Sequence, residues 1–219
     1  MGTAAISRSA GRSLVAALAA LAMLVAIGTQ PAGAATPTPT LLGCGYSPVH
    51  PFLRFLDPLP YTLLPGADFE SGAQGWKLSG GARVVSGSEP WFVSGSGHSK
   101  SLQLTAGSSA TSPPMCMGLV LPIVRFFSTG GALLSYMQVE ALYTDTAGRQ
   151  KSIVLLPVGL PSKTWIPNLP MLQLGGLLNA ATLNGLTSQI SLRFTPRGLL
   201  FGTGTWRIDD VFVDPWKNI

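Results

Sequence analysis

Nine carboxylates, two histidines and two cysteines are the chain's whole stock of side chains for acid–base, metal or thiol chemistry. The histidines, His50 and His98, stand far apart in turn-rich stretches, and no Cys/His spacing of the zinc type occurs. Gly95-Ser96-Gly97 lacks the flanking positions of the Gly-x-Ser-x-Gly elbow that exposes a nucleophilic serine. Phosphate-cradling glycine loops, dinucleotide fingerprints and EF-hand loops are missing as well. A glycosidase needs two carboxyl groups flanking one bond. Glu140 set against Glu89 or Asp145 would supply such a pair, but nothing in the spacing selects it. The expectation is a protein that binds rather than catalyses. The alternatives are a structural or adhesive surface protein with protein partners, or an extracellular hydrolase whose site the sequence does not display.

Exposed aromatic rings could also serve recognition. Sugars lay their apolar faces on Trp and Tyr rings, whose polar edges can also hydrogen-bond. Of the 5 tryptophans, Trp76 and Trp206 sit inside strand-like runs and are expected in the core. Trp91, beside Pro90, and Trp165, between Lys163 and Pro167, are the candidates for an exposed ligand-binding surface. Burial of both rings is the competing expectation.

The first residues indicate where such a domain would work. Arg8 and Arg12 precede an apolar run from Leu14 to Ile27, which Gly28-Thr29-Gln30-Pro31 ends. Ala32-Gly33-Ala34 then offers the small residues that signal peptidase reads, so residues 1–34 are expected to be a cleaved signal peptide. As a helix the run would span about 21 Å, short of the ~30 Å hydrocarbon core, which argues against a retained anchor. The expected product is secreted, with no membrane association after cleavage. Of 14 basic residues 12 then remain against 9 acids, a net charge of +3. They are scattered, and the basic stripe that a nucleic-acid partner needs is absent.

The mature length, about 185 residues, suits one domain. Charged residues make up only 11% of the chain, while Gly (26) and Pro (18) are frequent, a composition of many turns between short strands. Residues 35–60 read as a Pro-rich extended arm, although Tyr46, Phe52, Phe55 and Leu56 make its later part too apolar to float free. Strands are expected at 61–64, 82–85, 91–93, 101–105, 115–120, 133–143, 150–156, 189–194 and 206–213. In the run 133–143, Leu134, Tyr136, Gln138, Glu140 and Leu142 share one face, and Thr144–Gly148 turns the chain back. The uncharged stretch 169–186 fits a short helix or a covering loop. About 8–9 short antiparallel strands imply an all-β sandwich of the jelly-roll type over 61–217. Cys44 and Cys116 are most simply a disulfide in an exported protein, closing a loop that would stabilise the fold by about 4 kcal/mol. Two free thiols are the alternative, and so is lipidation, since Leu41-Leu42-Gly43-Cys44 resembles a lipobox placed well downstream of the apolar run.

Three segments carry a family resemblance. Asp68-Phe69-Glu70-Ser71-Gly72 with Gly75-Trp76 is similar to the opening strand of galactose-binding-like jelly rolls, which include many carbohydrate-binding modules. Gly97-His98-Ser99-Lys100-Ser101-Leu102 resembles an inner strand of that family, and Trp206-Arg207-Ile208-Asp209-Asp210-Val211 its closing strand. The resemblance implies that the first and last strands are neighbours and that the partner is a polysaccharide. It also implies a structural calcium ion at that edge, held by Glu70, by Asp209 or Asp210, and by carbonyls of the 97–100 turn. By strand alternation Asp210 would point into the core with Trp206, Ile208 and Phe212.

Overall fold

Alternating burial along the chain builds two facing sheets. The computed structural model describes residues 48–117, 123–145, 147–169, 188–199 and 202–214, all within one compact unit, Pro39–Ile219. The strands are β1 (Thr62–Leu63), β2 (Lys77–Ser79), β3 (Arg83–Ser86), β4 (Lys100–Leu104), β5 (Ser109–Thr111) and β6 (Met115–Met117). There follow β7 (Ile123–Gly130), β8 (Ser135–Thr144), β9 (Gln150–Gly159), β10 (Ser162–Pro167), β11 (Ser188–Gly198) and β12 (Trp206–Asp214). One sheet runs β10-β7-β12-β4-β3, with β1 also on β12; the other runs β2-β5-β11-β8-β9, with β6 also on β11. Every pairing between these strands is antiparallel. The expected all-β jelly-roll sandwich is the fold.

Its core lies between the sheets. Met137, Val139 and Ala141 of β8 and Ile190, Leu192 and Phe194 of β11 meet Val124 and Phe126 of β7 and Trp206, Ile208 and Val211 of β12. Trp76 and Trp206 are core residues, as their positions predict. Removing any one of the larger aromatics would cost about 3–5 kcal/mol, because its neighbours cannot fully close the space. The first strand, β1, does meet the last, although the segment 68–72, likened to an opening strand, forms turns instead. Thr62 pairs with Val213, Leu64 donates to the Val211 carbonyl at 2.9 Å, and Val211 donates to that of Ala67.

The expectations fail in three places. Residues 91–93 do not form a strand: Phe92 takes a left-handed φ of 52°, and the carboxylate of Glu89 gathers the N–H groups of Trp91 and Val93 into a turn. The alternation in β12 does not run through. Between Asp209 and Phe212 its register with β7 shifts by a bulge, and Asp210 sits at a φ of 48°. Val211 and Val213 therefore join Ile208 in the central core, whereas Phe212 turns to the outer side. Finally, β2, β5, β7 and β10 arise where no strand was expected.

That outer side of the first sheet is covered. Ile123, Phe127 and Phe212 form a second apolar cluster with Phe52 and Tyr61 of the lead-in segment. Phe52 lies 5.5 Å from both Phe127 and Phe212, ring centre to ring centre, and is fully buried. Beneath it Arg125 points outward from β7, its guanidinium 4.3 Å from the Phe52 ring and ion-paired with Asp57. The Tyr61 hydroxyl also donates to Asp57, at 2.8 Å. Burial, followed by the neighbouring Asp57 carboxylate, drives that hydroxyl's pKa upward. Prolines keep residues 48–60 out of regular structure except for a single 3-10 turn, Leu53–Phe55, yet the segment is bolted to the sheet.

The proposed signal peptide, all but Leu169 of the stretch 169–186 and the Cys44–Cys116 pairing lie outside the described residues and their side chains.

Candidate functional site

Trp91 and Trp165 are brought together, but on the covered side. Both pack against the second cluster. The Trp91 ring lies 5.1 Å from Phe55, edge to face, and 5.2 Å from Phe127. Both tryptophans are half-buried.

The acidic residues gather at the junction of β12 with the 88–99 segment, in two separate groups. Glu70 accepts the N–H groups of Ser99 (2.7 Å) and Lys100 (2.6 Å), while the Lys100 ammonium donates to the Glu70 carbonyl at 2.5 Å. Burial pulls the Glu70 carboxyl upward, but these donors outweigh it and hold it below its usual range. The turn thus offers Glu70 its amides. Its carbonyls serve elsewhere, that of Ser99 accepting from Gly87 and that of His98 from Ser88.

The second group is Glu89, Asp209 and Asp210, each only 1% exposed. Asp209 accepts the N–H groups of Glu89 and Asp210, both at 2.9 Å. Asp210 accepts the Ser94 hydroxyl, which also contacts Nδ1 of His98, and its carboxyl is hydrogen-bonded to that of Glu89. Burial and the charge of Asp210 push the Asp209 carboxyl up to about 9. Burial also raises Asp210, to about 7, against the pull of the Ser94 hydroxyl. The three ion pairs among the described residues, Arg125–Asp57, Arg149–Asp145 and Arg193–Glu140, all lie elsewhere. No set of three or more His, Cys, Asp or Glu side chains is arranged as a metal site among the described residues.

A third feature was not anticipated. The outer face of the second sheet carries a groove of about 540 Å³. Arg193 and Arg197 of β11, Glu140 of β8, and the hydroxyls of Ser108, Ser109 and Thr195 line it. These side chains face outward because Leu192 and Phe194 face inward from the same strand. Arg193 is paired with Glu140, and both its Nε and Nη2 donate to that carboxylate at 2.9 Å. Arg193 thereby holds the Glu140 carboxyl below its usual range. Gln138 and Tyr136 continue the row on β8, opposite Thr195 and Arg197. Arg197 Nε donates to Gln138 at 3.1 Å. Gly198 closes the end of the groove, where a Cβ would stand 2.0 Å from the Gly202 carbonyl oxygen.

No protein-family model and no curated protein sequence matches the chain. Several solved structures are similar to it. One comprises carbohydrate-binding and catalytic modules of a Clostridium thermocellum xylanase complexed with xylohexaose: 14% identity, TM-score 0.47, covering 68% of this chain but only 27% of that one. Another is the C-terminal family 22 carbohydrate-binding module of the same enzyme, at 15% identity and TM-score 0.44, covering 70% of this chain and 94% of the module. A third is a xylan-binding domain from Paenibacillus barcinonensis, at 13% identity and TM-score 0.44, covering 68% and 98%.

Proposed function

We propose that the protein is a secreted, non-catalytic carbohydrate-binding module whose ligand lies across the open face of the β2-β5-β11-β8-β9 sheet. The observation that carries this reading is the groove itself. Hydroxyl-bearing residues, two arginines and a carboxylate line it, Arg193, Thr195 and Arg197 facing outward from one strand. Planar groups of this kind match the paired hydroxyls of a sugar ring, and strands hold them more firmly than loops would. Tyr136, half-buried beside Arg197, supplies a ring edge at the flank. Glu140 is the one acid among the described residues of the lining, and it is tied to Arg193.

Calcium belongs to this proposal as a structural accessory rather than a ligand-binding group. Glu89 and Asp210 would hold it, because two touching buried carboxyls with no basic partner are a place where a hard cation replaces protons. The ion would neutralise that charge and tie the 88–94 turn to β12.

The test of the binding reading is retention of the purified protein in native gels containing soluble plant or bacterial polysaccharides. Retention lost in Arg193→Ala and Tyr136→Ala supports it. A protein that migrates freely in every polymer is not a carbohydrate-binding module.

A further inference from the structure

We infer that the groove selects an acidic polysaccharide, one whose hexuronate carboxylates are received by Arg197 beside the Arg193–Glu140 pair. The inference rests on the binding reading above and names its ligand class.

Charge is the first ground. The lining contains two arginines and one acid, and Glu140 already neutralises Arg193 through a bidentate pair. Arg197 is left over. Its Nε is engaged by a neutral amide, Gln138, and neither terminal nitrogen has an acceptor among the described residues. The guanidinium is thereby oriented by one bond while its other donors stay free, an arrangement that suits a planar two-oxygen anion. Lys77 adds to the same field. It pairs with Thr111, which in turn pairs with Arg193, so all three stand on one face.

The second ground is what the lining lacks. Among the described residues that line the groove none is aromatic, and Tyr136 stands beyond them on β8. Neutral β-glycans gain much of their affinity from stacking on ring faces. A groove without one must draw affinity from hydrogen bonds, and those to an ionised partner are about twice as strong as neutral ones.

The experiment is isothermal titration of the full mature protein with polygalacturonate and with the same polymer after reduction of its carboxyl groups, at 20 and 300 mM salt. The expected result is at least tenfold tighter binding of the carboxylated polymer at low salt, a preference that shrinks at high salt and disappears in Arg197→Gln. Arg197 is exposed, so this variant should melt as the wild type does. Equal affinity for both polymers, or a preference that survives in Arg197→Gln, overturns the inference and leaves the binding reading intact. Tighter binding of dextran sulfate than of polygalacturonate overturns the carboxylate assignment. Failure to bind these polymers or any neutral one defeats the binding reading itself.

Discussion

Arg193 and Glu140, 53 positions apart in the chain, face each other across β11 and β8 and join through two parallel hydrogen bonds of 2.9 Å. The pair stiffens the floor of the groove and fixes the plane in which Arg193 presents its remaining nitrogen. Arg193→Lys keeps the charge and loses the fork. Its expected effect is about a tenfold loss of polysaccharide affinity by titration, with melting lowered by only a few degrees.

The same pair sets an acid limit. Arg193 lowers the Glu140 carboxyl in the folded state, so the native protein binds fewer protons there than the unfolded chain. Its stabilisation is complete above the ordinary glutamate range and is lost as pH falls through the lower native value. Melting temperature should therefore drop between about pH 5 and pH 3. The drop should be shallower in Glu140→Gln, and parallel curves would show that other acids control it.

Asp57 is the anchor of the covering segment. Asp57→Asn leaves Arg125 buried beneath Phe52 without its counter-ion, and breaking a buried pair in this way costs about 3–5 kcal/mol. Adding Arg125→Met removes the stranded charge and should restore much of the loss. Denaturant midpoints of the single and double variants measure both effects.

Trp91→Ala should reveal itself in stability. The ring fills the space between Phe55 and Phe127, on the sheet opposite the groove. Its removal is expected to lower the melting temperature by several degrees while polysaccharide retention is unchanged. Lost retention with unchanged melting would move the binding surface to the covered sheet.

If calcium neutralises Glu89 and Asp210, EDTA lowers the melting temperature and excess calcium restores it. In Asp210→Asn both additions should be without effect. A wild-type protein indifferent to EDTA would mean that the two carboxyls share a proton instead.

Sequence patterns revealed the fold where a strand has one wet and one dry side. In β8 the outward row of Tyr136, Gln138 and Glu140 against inward Met137, Val139 and Ala141 is plain from alternation alone. β7 was hidden for the opposite reason: Ile123-Val124-Arg125-Phe126-Phe127 is buried on both sides once the lead-in covers it, so no alternation survives. β12 misled because one left-handed residue, Asp210, reverses which side its successors face. The 91–93 turn depends on a side chain, Glu89, capturing two amides, which no propensity registers. The acids expected to bind metal do gather near one junction, but their division into separate groups required coordinates. The groove was the least visible feature, since only strand register joins residues as distant as Glu140 and Arg193.

The segment bolted over the first sheet also governs valency. With Phe52 and Tyr61 spread across that surface, the described residues leave the outer side of the second sheet as the one face offered to a long polymer. A single copy should then grip a single strand of polysaccharide and should not cross-link two. Tight attachment to a fibre or wall would have to come from several copies acting together.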